Sequence, residues 1–179
     1  MRIVAGRWRS RRIETPDGPE TRPTADRSRE TLFSMLQSRI GAFDDLAVLD
    51  LFAGSGALSF EALSRGAASA FLIERHPAAR RAIERNARAL GANARLIGHD
   101  AGHPPPAAAP ADLIFLDPPY GEGLAAAACA AASAQGWVAP HTWISLESAR
   151  GEPFAAPGFD IVVTRNVGKA DLRLLRPSA

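Results

Sequence analysis

Hydrophobic positions along this chain alternate between two rhythms. Short apolar runs at Leu46–Phe52, Ala68–Glu74, Ala94–Gly98, Leu113–Leu116 and Thr142–Glu147 have the length of buried strands. Between them, Ala57–Arg65, Pro77–Leu90 and Glu122–Gln135 read as helices. Gly66 and Gly91 stand just past the first two helices, and Pro77 opens the second. Pro104–Ala111 is a Pro/Ala loop. Phe159–Thr164 and Asp171–Leu175 predict a closing hairpin. The expected fold is therefore α/β: a mostly parallel seven-stranded sheet, helices on both faces, with an antiparallel edge strand from the hairpin.

The first forty residues precede this alternation. Residues 2–5 and 11–14 read as a short hairpin around Gly6-Arg7-Trp8, and Thr15–Pro19 is a linker dense in turn formers. A helix starts at Thr24 or Asp26, runs to about Ile40 and stops at Gly41, with Leu32, Phe33, Met35 and Leu36 on its apolar face. We expect one domain over 1–179: a hairpin-and-helix extension at 1–40 and an α/β core at 41–179.

Composition narrows the class. A hydrophobic content of 46% fits a globular protein, and no apolar run approaches the roughly 20 residues of a membrane helix. The charged N-terminus lacks a signal-type apolar stretch, so a cytoplasmic protein with no membrane partner is expected. Cys129 is the single cysteine, which rules out an internal disulfide framework, and it reads as a small buried apolar residue. His76, His99, His103 and His141 lack metal-ligand spacing, so no metal is expected and they read as surface or loop residues. Trp137 and Trp143 read as core.

Net charge is only +2, but its placement is uneven. Arg2, Arg7, Arg9, Arg11 and Arg12 fall in the first twelve residues with no acid among them. Such a cluster reads either as a phosphate-contacting arm or as a solvated basic terminus. Trp8 within it either stacks on RNA or packs the hairpin. Arg165 and Lys169, near the last hairpin, are further candidates for phosphate.

Two motifs carry chemistry. The first is Asp50-Leu51-Phe52-Ala53-Gly54-Ser55-Gly56, between a strand and a helix, where a nucleotide-type ligand binds. Ser59 replaces the third glycine of the dinucleotide fingerprint. Asp50 places a carboxylate where a dinucleotide loop holds phosphate, which suits the cationic amino-acid end of S-adenosyl-L-methionine instead. Glu74, followed by Arg75, ends the second strand, where a carboxylate accepts from ribose hydroxyls. Asp100, followed by Ala101, comes just after the third and suits the adenine amino group.

The second motif is Asp117-Pro118-Pro119-Tyr120, at the tip of a buried strand. Two prolines fix two φ angles and remove two donors, leaving stiff carbonyls free to accept. A carboxylate before them and an aromatic ring after them make an acceptor-lined notch with a flat wall. Asp117 and the Pro118 carbonyl each accept one N–H of a base amino group, localising its lone pair, and Tyr120 stacks on the base. Together the two motifs point to methyl transfer from S-adenosylmethionine to a base nitrogen. They leave guanine N2, adenine N6, cytosine N4, RNA and DNA open.

With these residues in view, the chain resembles the bacterial small-subunit (16S) ribosomal RNA guanine-N2 methyltransferases, the RsmD-type family. The likeness runs end to end, through Arg2–Arg9, Arg22–Arg27, Arg29–Phe33, Asp50–Gly56, Glu61–Ala67 and Asp117–Tyr120. Arg22-Pro23-Thr24 discriminates best, because generic amino-methyltransferases lack it. The resemblance implies a class I methyltransferase fold (Rossmann-like), S-adenosylmethionine as donor, and a guanine amino group of 16S rRNA as acceptor. It also implies that Arg22, Thr24 and Arg27 lie near the cofactor and the substrate entrance. A small-subunit particle as substrate and a monomeric enzyme go with it. Lys169-Ala170-Asp171 departs from the family's more glycine-rich hairpin. Two readings from other classes compete: a nucleotide-dependent oxidoreductase, and a non-catalytic RNA-binding assembly factor.

Overall fold

The computed structural model describes residues 1–16 and 23–178, and their side chains apart from those of residues 23–25. Arg22 and the end of the linker thus lie outside the described residues, as does the side chain of Thr24. The elements are α1 (Pro23–Ile40), β1 (Ala47–Asp50), α2 (Ala57–Ser64), β2 (Ser69–Ile73), α3 (Pro77–Leu90), β3 (Ala94–Ile97), β4 (Leu113–Leu116), α4 (Leu124–Ala134), β5 (Trp143–Ala149), β6 (Phe159–Val167) and β7 (Ala170–Pro177).

All seven strands join one sheet in the order β3-β2-β1-β4-β5-β7-β6. β1 to β5 are parallel, and β7 pairs antiparallel with both β5 and β6. The terminal hairpin closes this end of the sheet as expected, with the last strand entering beside β5 and β6 outermost. Both hairpin strands run longer than the apolar pattern indicated, because backbone pairing continues past the apolar run as far as the tight turn at Gly168. The order reverses between β1 and β4, so a crevice opens at their carboxyl ends, the usual ligand position in such sheets.

Strand periodicity divides the core. Val48, Leu72, Leu113, Phe115 and Leu174 point to the face covered by α1, α2 and α3. Leu49, Ile73, Ile114, Leu116 and Leu175 point to the other, covered by α4 and Trp137. Phe33, Phe60 and Phe115 are fully buried, and burying a side chain of this size contributes about 1.5–3 kcal/mol. Cys129 is buried in the second layer, where burial pushes its thiol up to about 12. Trp137 is core, whereas Trp143 is half-buried beneath the Arg176 guanidinium.

The N-terminal hairpin is smaller than its sequence implied. One isolated bridge, Arg2 to Arg12, replaces a ladder. Ile3, Ser10 and Ile13 donate across the hairpin, whereas the donors of Val4, Ala5, Arg7 and Trp8 are spent on α2. The N–H groups of Val4 and Ala5 donate to the two carboxylate oxygens of buried Glu61, at 2.8 and 3.0 Å. Arg7 N–H donates to the Ser64 carbonyl, and Trp8 N–H to the Ser64 hydroxyl. Gly6 makes this approach possible: its φ is +81°, and a Cβ there would lie 1.9 Å from the Ser64 carbonyl oxygen. α1 starts at Pro23, one residue ahead of the earliest expected cap, because proline's fixed φ and absent N–H suit a first helical turn. Its buried Arg29 donates to the Arg2 carbonyl and pairs with Asp26.

Candidate active site

Parallel strands deliver their next residues to one edge of the sheet. Leu51 and Phe52 follow β1, Glu74 to His76 follow β2, His99 to Gly102 follow β3, and Asp117 to Tyr120 follow β4. These four segments line a single cavity of about 540 Å3. Small-molecule sites span roughly 300–1,000 Å3. The glycine loop and the proline turn, 60 residues apart in the chain, therefore face one space.

The glycine loop is shaped from behind. Gly54 lines the cavity with φ at +54° and nothing within 4 Å of a virtual Cβ. Its N–H donates to Glu74 at 2.8 Å, and the other Glu74 oxygen accepts from the His76 N–H at 2.8 Å. Glu74 is buried and lines the cavity, and each oxygen keeps a lone pair for a further donor. Ala53, Ser55 and Gly56 do not line the cavity but form its support. Gly56 caps α2 at φ +79°, where a Cβ would meet the Phe60 ring at 2.5 Å. The Ser55 carbonyl accepts from Asn86 on α3, which also grips both the N–H and the carbonyl of Glu14.

Asp50 lies one layer below. One carboxylate oxygen accepts from the Ser59 hydroxyl at 2.9 Å, and the other is buried without a hydrogen-bond partner. Ser59, read in the sequence only as a missing glycine, thus orients the carboxylate. Burial lifts the Asp50 carboxyl to about 7, against the opposing pull of Ser59. An ammonium group near the orphan oxygen would offset that cost.

At the far side, Asp100 and Arg75 pair at 3.1 Å, and both line the cavity with Ala101. The Gly102 N–H, with smaller help from Arg75, holds the Asp100 carboxyl below its ordinary range. His76 and His99 are exposed loop residues, as expected, but also line the cavity, a place the sequence did not assign them. Their place immediately after strand ends was the available signal.

Asp117 is exposed and opens on the cavity. Partial loss of hydration to the surrounding protein atoms, then the like charges of Glu147 and Asp50, raise its carboxyl above the ordinary carboxylate range. Water tempers the first cause and leaves the direction unchanged. Tyr120 is half exposed, and its hydroxyl donates to Glu147 at 2.8 Å. A smaller hollow of about 210 Å3 begins on the other side of Pro118, Pro119 and Tyr120, floored by Leu124, Leu146 and Phe154.

None of the five N-terminal arginines lines the cavity. The arm packs at the carboxyl ends of α2 and α3: Arg11 donates to the Ala89 carbonyl, and Arg7 covers the Trp8 ring at 4.1 Å. Cations there meet the negative ends of helix dipoles. Trp8 is half-buried and packs against the core. Among the described residues no cluster of His, Cys, Asp and Glu has metal-site geometry, and no helix is long and apolar enough to cross a membrane.

Comparison with known proteins follows the same lines. The family described as "Conserved hypothetical protein 95" matches residues 1–176. Ribosomal RNA small subunit methyltransferase D of Escherichia coli is 38% identical over 183 residues, covering 100% of this chain and 91% of that protein. The structure of a putative methyltransferase from Escherichia coli superposes with a TM-score of 0.85 at 36% identity, covering 100% of this chain and 98% of that one. A putative methylase from Haemophilus influenzae gives 0.78 at 30% identity over 98% and 97%. The seven-stranded, mostly parallel sheet is that of the class I Rossmann-like methyltransferase fold. With the match end to end in sequence and fold, this chain is a methyltransferase and belongs to the conserved hypothetical protein 95 family, the RsmD family.

Proposed function

We propose that the chain transfers a methyl group from S-adenosylmethionine to the exocyclic N2 amino group of a guanine in small-subunit ribosomal RNA. The observation that carries this reading is the shared cavity: glycine loop, Glu74, Asp100 and the Asp117–Tyr120 turn all face it. The relatives' name supports the choice of RNA.

The residues present fit the donor. The orphan oxygen of Asp50 suits an ammonium group, directly or through water. The free lone pairs of Glu74 suit ribose hydroxyls, and Asp100 suits an adenine amino group. Phe52, Ile73 and Ala101 supply apolar walls for a flat ring. When bound, S-adenosylmethionine supplies an electrophilic methyl group.

A guanine amino nitrogen is a weak nucleophile because its lone pair is delocalised into the ring. Asp117 and the Pro118 carbonyl accept its two N–H groups and draw it toward tetrahedral geometry. Tyr120 stacks on the extruded base and fixes the ring plane, so the lone pair is aimed rather than free to rotate. Asp117 then takes the proton that the methylated nitrogen sheds, and its raised affinity for protons suits that role.

The test is transfer of labelled methyl to small-subunit RNA and particles from a strain lacking the gene, followed by nucleoside analysis. N2-methylguanosine is expected, abolished by Asp117→Ala. N6-methyladenosine would overturn the choice of base, and binding of NAD in place of S-adenosylhomocysteine would overturn the choice of donor.

A further inference from the structure

A groove of about 450 Å3 separates α1 from the β6–β7 hairpin, away from the cofactor cavity. α1 lines it with Arg27, Thr31, Ser34 and Ser38, spaced four, three and four residues apart, so all fall on one stripe of the helix. The hairpin lines it with Arg165 and Asn166. Among the described residues no acidic one contributes. Guanidinium, hydroxyl and amide groups converge there, the donor set that contacts phosphate and sugar oxygens without reading sequence.

Strand register ties this groove to the active site. Leu172 of β7 pairs with Glu147 on one side and with Arg165 on the other. Leu116 pairs with Leu146, so Asp117 sits in that same row. At about 4.8 Å per strand, the Arg165 backbone lies roughly 10 Å from that of Glu147 and roughly 15 Å from that of Asp117. β6 runs in the direction of β5, since β7 is antiparallel to both, so Arg165 and Asn166 reach the carboxyl edge where the cavity opens. The N-terminal arginines sit instead against the carboxyl ends of α2 and α3, the opposite edge.

We propose that the α1–hairpin groove grips the sugar–phosphate backbone of the substrate RNA within a few nucleotides of the methylated base. This rests on the reading of the substrate as RNA, and it assigns backbone positioning to Arg27 and Arg165 rather than to the N-terminal arginine cluster.

The experiment uses the full chain with small-subunit RNA from a strain lacking the gene. It compares wild type, the double variant Arg27→Ala/Arg165→Ala, and Arg95→Ala on β3 at the far edge of the sheet. Arg27, Arg95 and Arg165 are exposed, so all three proteins should melt alike. In the double variant the KM for RNA should rise on the order of 10-fold, with kcat and S-adenosylhomocysteine affinity unchanged. The slope of log RNA affinity against log salt should shrink by about 0.7 per lost phosphate contact. Arg95→Ala should match wild type. An unchanged KM and slope in the double variant, or an equal loss in Arg95→Ala, overturns the groove. If the double variant loses RNA binding while the wild type methylates another base, the groove stands and the guanine reading falls. If N2-methylguanosine forms but the double variant binds RNA normally, the reverse holds.

Discussion

The hydroxyl of Tyr120 donates to the carboxylate of Glu147 at 2.8 Å, linking the turn after β4 to the neighbouring strand β5. Half of the tyrosine surface is exposed. The ring is thus anchored at its tip and bare on a face, as a stacking wall must be. Tyr120→Phe should keep the wall and loosen it, lowering kcat/KM for RNA a few-fold. Tyr120→Ala should cost about 10–100-fold, the worth of one base stack. Steady-state kinetics at fixed donor concentration separate the two, and equal losses would remove stacking from the role of the ring.

Glu147 also shapes the titration of Asp117. Its negative charge is one cause of the raised Asp117 carboxyl, after partial loss of hydration. Asp117 must be ionised to accept a proton, so kcat should rise with pH across a window above the ordinary carboxylate range near 4. Glu147→Gln keeps an acceptor for Tyr120 and removes the charge, so the acidic limb should move to lower pH. A pH profile of single-turnover methyl transfer reads the limb directly; an unmoved limb would detach Glu147 from Asp117.

The orphaned, buried Asp50 makes a prediction about stability. Its carboxyl is raised to about 7 in the fold from 3.8. The folded state therefore holds a proton that the unfolded chain releases. That contribution is fully present below about pH 4 and lost as pH rises to about 7. Asp50→Asn should flatten this decline, leaving the variant roughly 2–4 kcal/mol less penalised at pH 8. Binding of S-adenosylhomocysteine should tighten with pH through about 7 in wild type and not in the variant. Urea titrations and calorimetry at pH 5 and 8 test both halves.

Buried Glu61 holds Val4, Ala5 and Arg65 at once, at 2.8, 3.0 and 2.9 Å. Glu61→Ala strands all three donors and removes the carboxylate 3.8 Å from the Arg29 guanidinium. A loss of about 3–5 kcal/mol is expected, as for other broken buried pairs. Gly6→Ala should destabilise through the same contact, since its Cβ has no room and φ is positive. Thermal melts read the stability, and limited proteolysis should show the first sixteen residues released first. A melt unchanged in Glu61→Ala would end the claim that this residue clamps the extension.

The alternation of apolar runs and helical stripes was enough to place nearly every core element, because burial on a two-sided sheet imposes periods of two and 3.6 residues. Asp50–Gly56 and Asp117–Tyr120 were legible for a related reason: glycine and paired prolines are local chemistry, readable without neighbours. Their meeting in one cavity was expected only from the chemistry the two motifs imply together, not from any local signal. It depends on β4 lying beside β1, a pairing that no stretch of sequence encodes locally. Glu61 stood out only as part of a family stretch, without a role, and Asn86 and Glu147 escaped notice for the same cause. A carboxylate in a helix or strand looks solvated until the fold brings backbone donors or a phenol 27 to 57 residues away against it. The N-terminal arginines show the converse. Their charge was plain in the sequence, but helix ends packed against them decide what that charge meets. What the chain spells out alone is thus periodicity and backbone stiffness, which are set within a few residues. Which groups share a space, and which lose their water, only long-range packing decides, because both depend on the neighbours that packing supplies.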